Sequence, residues 1–203
     1  MPWSPGYERT DIGPHHDRQT CAELFAAGLN QIIYRTLVAD TQTPVGVMMK
    51  LADGETHHCL LESVEGGEVR GRFSVVALKP DLIWQSKKDK VFINRSAQTR
   101  PDEFEELPAV QPLDSLRALI AESWMDDTHP LPPMAAGLFG YLGYDMIRHV
   151  ESLPDDNPDR LDVHDSVFMR PSVVAIFDRL KDTITLCYHI RPADFETADN
   201  AWN

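Results

Sequence analysis

The residues best suited to bind a small ligand are a carboxylate and a hydroxyl at the end of an apolar stretch, where Leu60 and Leu61 precede Glu62 and Ser63. Glu62 can accept charge-assisted hydrogen bonds from an ammonium group, which are stronger than bonds between neutral groups. The Ser63 hydroxyl can donate to, or accept from, either end of an amino acid. The pattern fits a site for a small amphoteric molecule, and it also fits a polar strand end, which is the commoner arrangement.

Two other patterns are interpreted as structural. Gly137, Gly140 and Gly143 are spaced as GxxGxxG and not as the GxGxxG of dinucleotide-binding loops, so they are predicted to allow close packing of a strand. Three acidic pairs are expected to be solvated surface charge in loops: Asp126-Asp127, Asp155-Asp156 and Glu105-Glu106.

The sequence contains no Walker loop, GxSxG elbow or HExxH motif, so the residues alone define no catalytic constellation.

Charge and cysteine content exclude several classes of protein. With 19 Lys and Arg against 32 Asp and Glu, the net charge is −13, which repels nucleic-acid phosphates and anionic membrane surfaces. Cys21, Cys59 and Cys187 are odd in number and far apart, which argues against disulfides and zinc and favours a reducing compartment. His57 and His58 are adjacent in a predicted strand, so their side chains point to opposite faces.

The hydropathy pattern predicts neither a membrane span nor a secretion signal. The longest near-apolar stretch, 134–144, is shorter than the ~20 residues that a spanning helix needs. The first residues lack the basic start and apolar run of a signal peptide. We therefore expect a cytoplasmic protein that has no membrane and no nucleic-acid partner.

Local signals predict the elements that would hold Glu62 and Ser63 in place. Residues 1–17 are rich in proline and glycine and are predicted to be a disordered tail. Helices are predicted over 21–30, 45–51, 113–120 and 146–151, with Thr20, Thr43 and Asp145 as the N-caps of the first, second and fourth. Residues 193–203 are predicted to begin a further helix that has no C-cap.

Most strand patterns occur in pairs separated by turn residues. Three hairpins are predicted: 58–63 with 72–78, 82–84 with 91–93, and 167–177 with 183–190. Further strands are predicted over 32–38 and, as a buried strand, over 135–144. The proline-rich segment 125–134 is interpreted as a loop inside one domain that spans 18–203. Hairpins that pack against helices indicate an antiparallel α+β fold.

Three segments resemble one family of enzymes. Residues 60–74 resemble the LLES…GRYS segment near the start of anthranilate synthase component I, the chorismate-utilising subunit of tryptophan biosynthesis. Residues 137–148 are similar to the GYLGYD segment of that family. Residues 177–186 resemble the end of its amino-terminal region. The resemblance extends from about residue 20 to the end of the chain, and it concerns only the amino-terminal region of the family.

The resemblance implies a fold and a regulatory site. The fold consists of antiparallel, orthogonally packed β-sheets with outer helices. In this family the LLES segment lines the pocket for tryptophan, the feedback inhibitor, so Ser63 and Glu62 are the expected tryptophan-binding residues. The expected wall and floor of the pocket are formed by Leu60, Leu61, Phe73 and Ser74.

The resemblance also implies the chemistry of the complete enzyme. Mg²⁺ would hold the carboxylate of chorismate, ammonia would come from a glutamine amidotransferase subunit, component II, and elimination of pyruvate would yield anthranilate. The family's chorismate-binding and magnesium-binding residues lie in its carboxy-terminal region. No catalytic or metal-binding residue is therefore assigned in this segment, which we expect to be inactive by itself.

Two alternative functions stay open. Aminodeoxychorismate synthase component I, which makes the precursor of the p-aminobenzoate of folate, shares the fold of the family but matches LLES followed by GGE less well. A stand-alone binding module without catalysis is the second alternative, and the uncapped final helix argues against it. Tryptophan binding that depends on Ser63 would distinguish the regulatory site from both alternatives.

Overall fold

The computed structural model describes residues 17–54, 56–62, 71–125, 131–154 and 159–202. Over these ranges the α-helices are α1 (Arg18–Ala26), α2 (Pro44–Leu51), α3 (Pro112–Glu122) and α4 (Ala198–Trp202). The strands are β1 (Gln31–Val38), β2 (Cys59–Glu62), β3 (Phe73–Lys87), β4 (Lys90–Asn94), β5 (Glu105–Leu107), β6 (Phe139–Leu142), β7 (Ser166–Asp178) and β8 (Thr183–Ile190). Short 3₁₀-helices lie at Pro133–Ala135, Tyr144–His149 and Pro192–Asp194. None of these helices is long and apolar enough to cross a bilayer.

The strands form one antiparallel sheet whose centre is the pair β3 and β7. One half of the sheet has the order β2-β3-β7-β8-β1, and the other half has the order β6-β7-β3-β4-β5. The three predicted hairpins are confirmed as β2–β3, β3–β4 and β7–β8. The antiparallel α+β fold class is therefore confirmed, with the two long strands shared between both halves of the sheet.

The two halves of the sheet meet where Pro80 of β3 lies opposite Pro171 of β7. Proline has no backbone N–H, so neither residue can donate a hydrogen bond to the ladder at this point. The register then shifts between Pro80 and Leu82. Shifts of this kind bend a strand and increase its twist, so the prolines mark the boundary between the halves.

The two faces of the sheet carry separate apolar cores because side chains alternate along each strand. In β3, Val75 belongs to the core of one face, and its neighbour Val76 belongs to the core of the other face. Helix α2 contributes Val47 to the core that contains Val76. Beyond the prolines, Trp84 lies in a third core and donates from Nε1 to the Ser115 hydroxyl of α3 at 3.0 Å. Helices α2 and α3 therefore each cover a defined part of the sheet.

Several elements follow directly from local signals in the sequence. Thr43 is the N-cap of α2, since its hydroxyl accepts the backbone N–H of Gly46 at 3.0 Å, and Pro44 occupies the first helical position. This arrangement confirms the predicted cap. The strand predicted over 32–38 is β1, and the helix predicted over 113–120 is α3.

The start of the first helix differs from the prediction. Helix α1 begins at Arg18, and its N-cap is Asp17, whose Oδ1 accepts the backbone N–H of Thr20 at 2.7 Å. Thr20 therefore lies inside the helix and does not cap it. The helix ends at Ala26 and not at residue 30, because Gly28 adopts a positive φ of 72° that breaks the helical path. Apart from Asp17, the predicted disordered tail lies outside the described residues.

The buried strand predicted over 135–144 is much shorter than expected. Strand β6 covers Phe139–Leu142, and only its first residue is buried. The backbone of Gly137 has a φ of 113°, which prevents an extended strand from running through it. The following 3₁₀-helix begins after Gly143 without a side-chain cap, and the carboxylate of Asp145 instead accepts a hydrogen bond from Arg148 at 3.0 Å.

One of the acidic pairs that were assigned to loops lies in a strand. Glu105 and Glu106 belong to β5, which pairs with β4, and Glu106 forms an exposed ion pair with Lys90 at 3.0 Å. The interpretation as surface charge stands, whereas the loop assignment is wrong. The pairs Asp126-Asp127 and Asp155-Asp156 lie outside the described residues.

Candidate functional site

Glu62 is the last residue of β2 and lies opposite Ser74 of β3. Its Oε1 lies 3.4 Å from Nη2 of Arg179, which belongs to the turn between β7 and β8. The Glu62 side chain is 33% exposed and that of Arg179 is 49% exposed, so this ion pair remains in contact with solvent. Glu62 is thus positioned as predicted, at a strand end where a small polar ligand could reach its carboxylate.

The predicted tryptophan-binding residues are divided between the two faces of the sheet. Leu60 packs with the core that contains Val76, and the period of two along a strand places Glu62 and Ser74 on this same face. Phe73 packs with the core on the opposite face, and Leu61, 51% exposed, also points to that side. The structure therefore brings Leu60, Glu62 and Ser74 together and separates them from the other two. Ser63 lies outside the described residues.

A second ion pair, Arg72 with Asp178, lies at the same end of β3 and β7 but on the Phe73 face of the sheet, and it is much more firmly held. Arg72 donates to both oxygens of the Asp178 carboxylate, with Nε–Oδ1 at 2.8 Å and Nη2–Oδ2 at 2.5 Å. This hydrogen-bonded guanidinium is the main reason that the pKa of Asp178 is held below its usual value. The Arg72 guanidinium also lies 4.8 Å from the centre of the Phe73 ring, a cation–π contact.

A cavity of about 310 Å³ lies next to Glu62 on the face covered by α2. This volume is at the lower end of the range of small-molecule sites. Its walls come from the start of α2, the end of β2 and the turn between β7 and β8: Ala39, Gln42, Thr43, Pro44, Glu62, Phe177, Asp178, Arg179, Asp182 and Thr183. The cavity combines carboxylates, one guanidinium and an aromatic ring, which suits a small molecule that carries both charges and an apolar part.

Ser74 adds a buried polar group next to two residues of the cavity wall. Its side chain is fully buried, and its hydroxyl has no hydrogen-bond partner among the described residues. In the sheet, Ser74 lies between Glu62 on one side and Phe177 on the other, and both of these neighbours line the cavity. A buried hydroxyl usually has a partner, so this position favours contact with a group that is supplied from the cavity.

The sequence patterns did not reveal the residues that the turn between β7 and β8 contributes to the cavity. Asp178, Arg179 and Asp182 were interpreted only as parts of a hairpin turn. Arg179 is 117 residues away from Glu62 in the sequence. The charged composition of the turn was visible, but no local pattern connects it with β2, because their proximity depends on the pairing of β3 with both β2 and β7.

The described residues contain no group of three or more His, Cys, Asp or Glu side chains that could hold a metal ion. The Mg²⁺ implied for the complete enzyme therefore finds no fitting ligand set among these described residues. No step of the chemistry is assigned to a metal here.

The glycine pattern after α3 has the predicted structural role at two of its three positions. A Cβ atom on Gly140 would lie 1.9 Å from the carbonyl oxygen of Val167, and one on Gly143 would lie 2.4 Å from that of Asp165. Both glycines therefore allow close contact with β7 or the residue before it. Gly137 has open space around it, and its positive φ is the reason for glycine there.

The fold and the site together define a class of protein: an antiparallel α+β domain with a charged, ligand-sized cavity where several of its strands end. No protein-family model matches the chain. A crystal structure of anthranilate synthase component I from Streptococcus pneumoniae TIGR4 has a similar fold, with a TM-score of 0.51 and 22% sequence identity over 78% of this chain and 32% of that chain.

Sequence relatives identify the family. Anthranilate synthase component 1 of Cereibacter sphaeroides is 56% identical over 160 residues, which are 79% of this chain and 32% of the relative. The Thermus thermophilus protein of the same name is 38% identical over 75% of this chain and 30% of the relative. The Acinetobacter calcoaceticus protein is 34% identical over 89% of this chain and 37% of the relative. This chain belongs to the anthranilate synthase component I family, and it spans about a third of the length of these curated relatives.

Proposed function

We propose that the chain is the amino-terminal, tryptophan-binding regulatory segment of an anthranilate synthase component I. The complete polypeptide would convert chorismate and ammonia to anthranilate and pyruvate in tryptophan biosynthesis. The ammonia would come from glutamine through an amidotransferase subunit, component II, and Mg²⁺ would be required by the complete enzyme. The segment alone would contribute regulation and no catalytic residue.

The observation that carries the regulatory proposal is the position of Glu62 beside the cavity. A carboxylate at a strand end, next to a guanidinium and paired in the sheet with a residue whose hydroxyl is buried, supplies partners for both charged ends of an amino acid. The Phe177 ring supplies an apolar contact for an aromatic side chain. In this proposal Ser63, the next residue after Glu62, binds the same ligand.

Feedback inhibition requires more than binding. Tryptophan must bind the inhibited conformation of the complete enzyme more tightly than the active conformation, because equal affinity for both would leave their populations unchanged. Residues at the end of β2 can contribute to this difference, since β2 pairs only with β3 and forms an edge of the described sheet.

The proposal is tested by calorimetric titration of L-tryptophan into the complete polypeptide that carries this segment. The variants are Ser63→Ala and Glu62→Gln, and Thr99→Ala serves as a control because it removes an exposed hydroxyl in the loop between β4 and β5. We expect Ser63→Ala and Glu62→Gln to weaken binding roughly 10- to 100-fold, which corresponds to a lost hydrogen bond to a charged group. The control should bind like the wild type.

Two outcomes would contradict the proposal. If the complete wild-type polypeptide does not bind tryptophan, the proposed regulatory function is wrong. Aminodeoxychorismate synthase component I or an unregulated anthranilate synthase would then be favoured. If tryptophan binds but both variants bind like the wild type, the inhibitor site lies elsewhere in the polypeptide.

A further inference from the structure

We infer that Arg179 is the residue that recognises the carboxylate of the bound amino acid, and that the ligand replaces the Glu62–Arg179 ion pair with its own two charges. The ammonium group of the ligand would bind Glu62, and its carboxylate would bind Arg179. This inference rests on the proposed function and deepens it, because it assigns each charged end of the ligand to one side chain.

The Glu62–Arg179 pair is weak enough to be exchanged. Its single contact of 3.4 Å is longer than the 2.7–2.9 Å of good charge-assisted hydrogen bonds between a nitrogen cation and a carboxylate. Both side chains are partly exposed, and ion pairs that solvent can reach contribute little to stability. Separating the two charges therefore costs little, and a zwitterion placed between them restores a partner to each.

The Arg72–Asp178 ion pair leaves the Arg179 guanidinium available to a ligand. Arg72 already occupies both oxygens of Asp178, so this carboxylate has little capacity to draw the Arg179 guanidinium away from the cavity. The backbone N–H of Arg179 donates to the carbonyl of Arg72 at 3.0 Å, which fixes the turn against the start of β3. The N–H of Leu180 donates to Asp178 at 3.1 Å and secures the next residue of the turn.

The buried Ser74 hydroxyl is the second observation that indicates a ligand. It lacks a partner among the described residues, and it lies in the sheet between Glu62 and Phe177, two residues of the cavity wall. A ligand whose ammonium group reaches Glu62 would bring a hydrogen-bonding group close to this hydroxyl. Its apolar side chain would then contact Phe177.

Each substituted protein should lose recognition of one charged group of the ligand. Three probes are titrated into the complete polypeptide: L-tryptophan, tryptamine, which lacks the carboxylate, and indole-3-propionate, which lacks the ammonium group. The wild type should prefer tryptophan to tryptamine roughly tenfold or more, as expected when a charged hydrogen bond is lost. Arg179→Gln should bind these two probes with nearly equal affinity. Glu62→Gln should instead lose the preference for tryptophan over indole-3-propionate.

The matched control is Lys181→Gln, which removes the same charge from the same turn but does not line the cavity. It should keep the wild-type preference for tryptophan. Arg179→Lys retains the positive charge and should retain part of the preference, and it replaces Arg179→Gln if that variant does not fold.

The possible failures are distinguishable. If wild type binds tryptophan and Arg179→Gln still prefers it to tryptamine, the role of Arg179 is wrong while the regulatory function stands. If Lys181→Gln loses the preference as much as Arg179→Gln does, the preference reflects the overall positive charge of the turn. A specific contact between Arg179 and the ligand carboxylate is then ruled out. If wild type does not bind tryptophan, both the inference and the proposed function are wrong.

Discussion

Arg170 places its Nε 2.9 Å from Oδ1 of Asp81, immediately beside the point where the two prolines of β3 and β7 face each other. Asp81 also accepts a hydrogen bond from Arg191 at 3.2 Å. Both arginine side chains are more than nine-tenths buried. The carboxylate thus compensates two buried cations where the backbone ladder is interrupted, and it links β3, β7 and the residue after β8.

Replacing Asp81 by Asn should strongly destabilise the fold. The variant removes the carboxylate that Arg191 contacts and leaves Arg170 with only the Glu122 carboxylate at 3.1 Å. Breaking a buried pair costs about 3–5 kcal/mol, and the retained Glu122 contact places the expected loss at the lower end of this range. Urea denaturation measures the loss in the free energy of unfolding. Asp114→Asn is the control, because its ion pair with Arg117 is exposed and should contribute less than about 1 kcal/mol. Equal losses for the two variants would show that the buried pair contributes no more stability than the exposed pair.

Replacing Gly140 by Ala should disrupt the contact between β6 and β7. The new methyl group would meet the Val167 carbonyl oxygen at 1.9 Å and the Phe168 Cα at 2.8 Å, and backbone atoms cannot turn aside as a side chain can. We expect a loss of about 1–3 kcal/mol or more, as in other overpacked sites. Gly28→Ala provides the comparison, since Gly28 has open space and only its positive φ opposes the change, at about 1 kcal/mol. Thermal unfolding of both variants shows which one loses more stability. A smaller loss of stability for Gly140→Ala than for Gly28→Ala would contradict the prediction.

The Arg72–Asp178 pair should make part of the free energy of unfolding dependent on pH in the acidic range. Because the guanidinium lowers the pKa of Asp178 in the folded state, the stabilisation is fully present above the ordinary Asp value of about 3.9. It is lost as the pH falls through the lowered pKa, where the folded carboxylate also becomes protonated. Asp178→Asn should therefore be less stable than wild type near neutral pH, and the difference should narrow in strong acid.

Urea denaturation of wild type and Asp178→Asn at several pH values checks this dependence. Asp114→Asn, with its exposed carboxylate, should differ little from wild type at any pH. A stability difference for Asp178→Asn that stays constant down to strong acid would show that the pair is not the cause.

Cys187 should be the least reactive of the three thiols. Burial raises its pKa to about 12, so almost none of it is thiolate, the reactive form, at neutral pH. Cys59 is only partly buried and should react first with a thiol reagent in the native protein. Alkylation followed by mass spectrometry measures the order, and rapid labelling of Cys187 before Cys59 would contradict it.

The same burial predicts a loss of stability in alkali. The unfolded thiol ionises near pH 8.5, whereas the folded Cys187 stays protonated up to about 12. The free energy of unfolding should therefore fall as the pH rises through this window. Cys187→Ala, which has no ionisable group at this position, should lack this part of the alkaline decline.

The elements that sequence patterns predicted correctly are those whose signals are local. The Thr43 cap with Pro44 at the next position defines the start of α2, and alternating residues define the hairpins. The start of α1 was wrong because Asp17 and Thr20 are both good caps, and only the folded backbone shows which accepts the N–H. Strand β6 was too long in the prediction because an apolar run gives no sign that Gly137 turns the chain.

Local sequence signals were sufficient to predict the antiparallel hairpins, the acidic charge and the carboxylate at the end of an apolar strand, Glu62. These features depend on residues that are neighbours in the chain or that follow a short period. The folded sheet was needed to show that Phe73 faces away from Glu62, and that Arg179 faces it across 117 positions. The physical reason is that the register of β3 with both β2 and β7 sets which side chains share a face, and that register depends on the packing of the whole sheet.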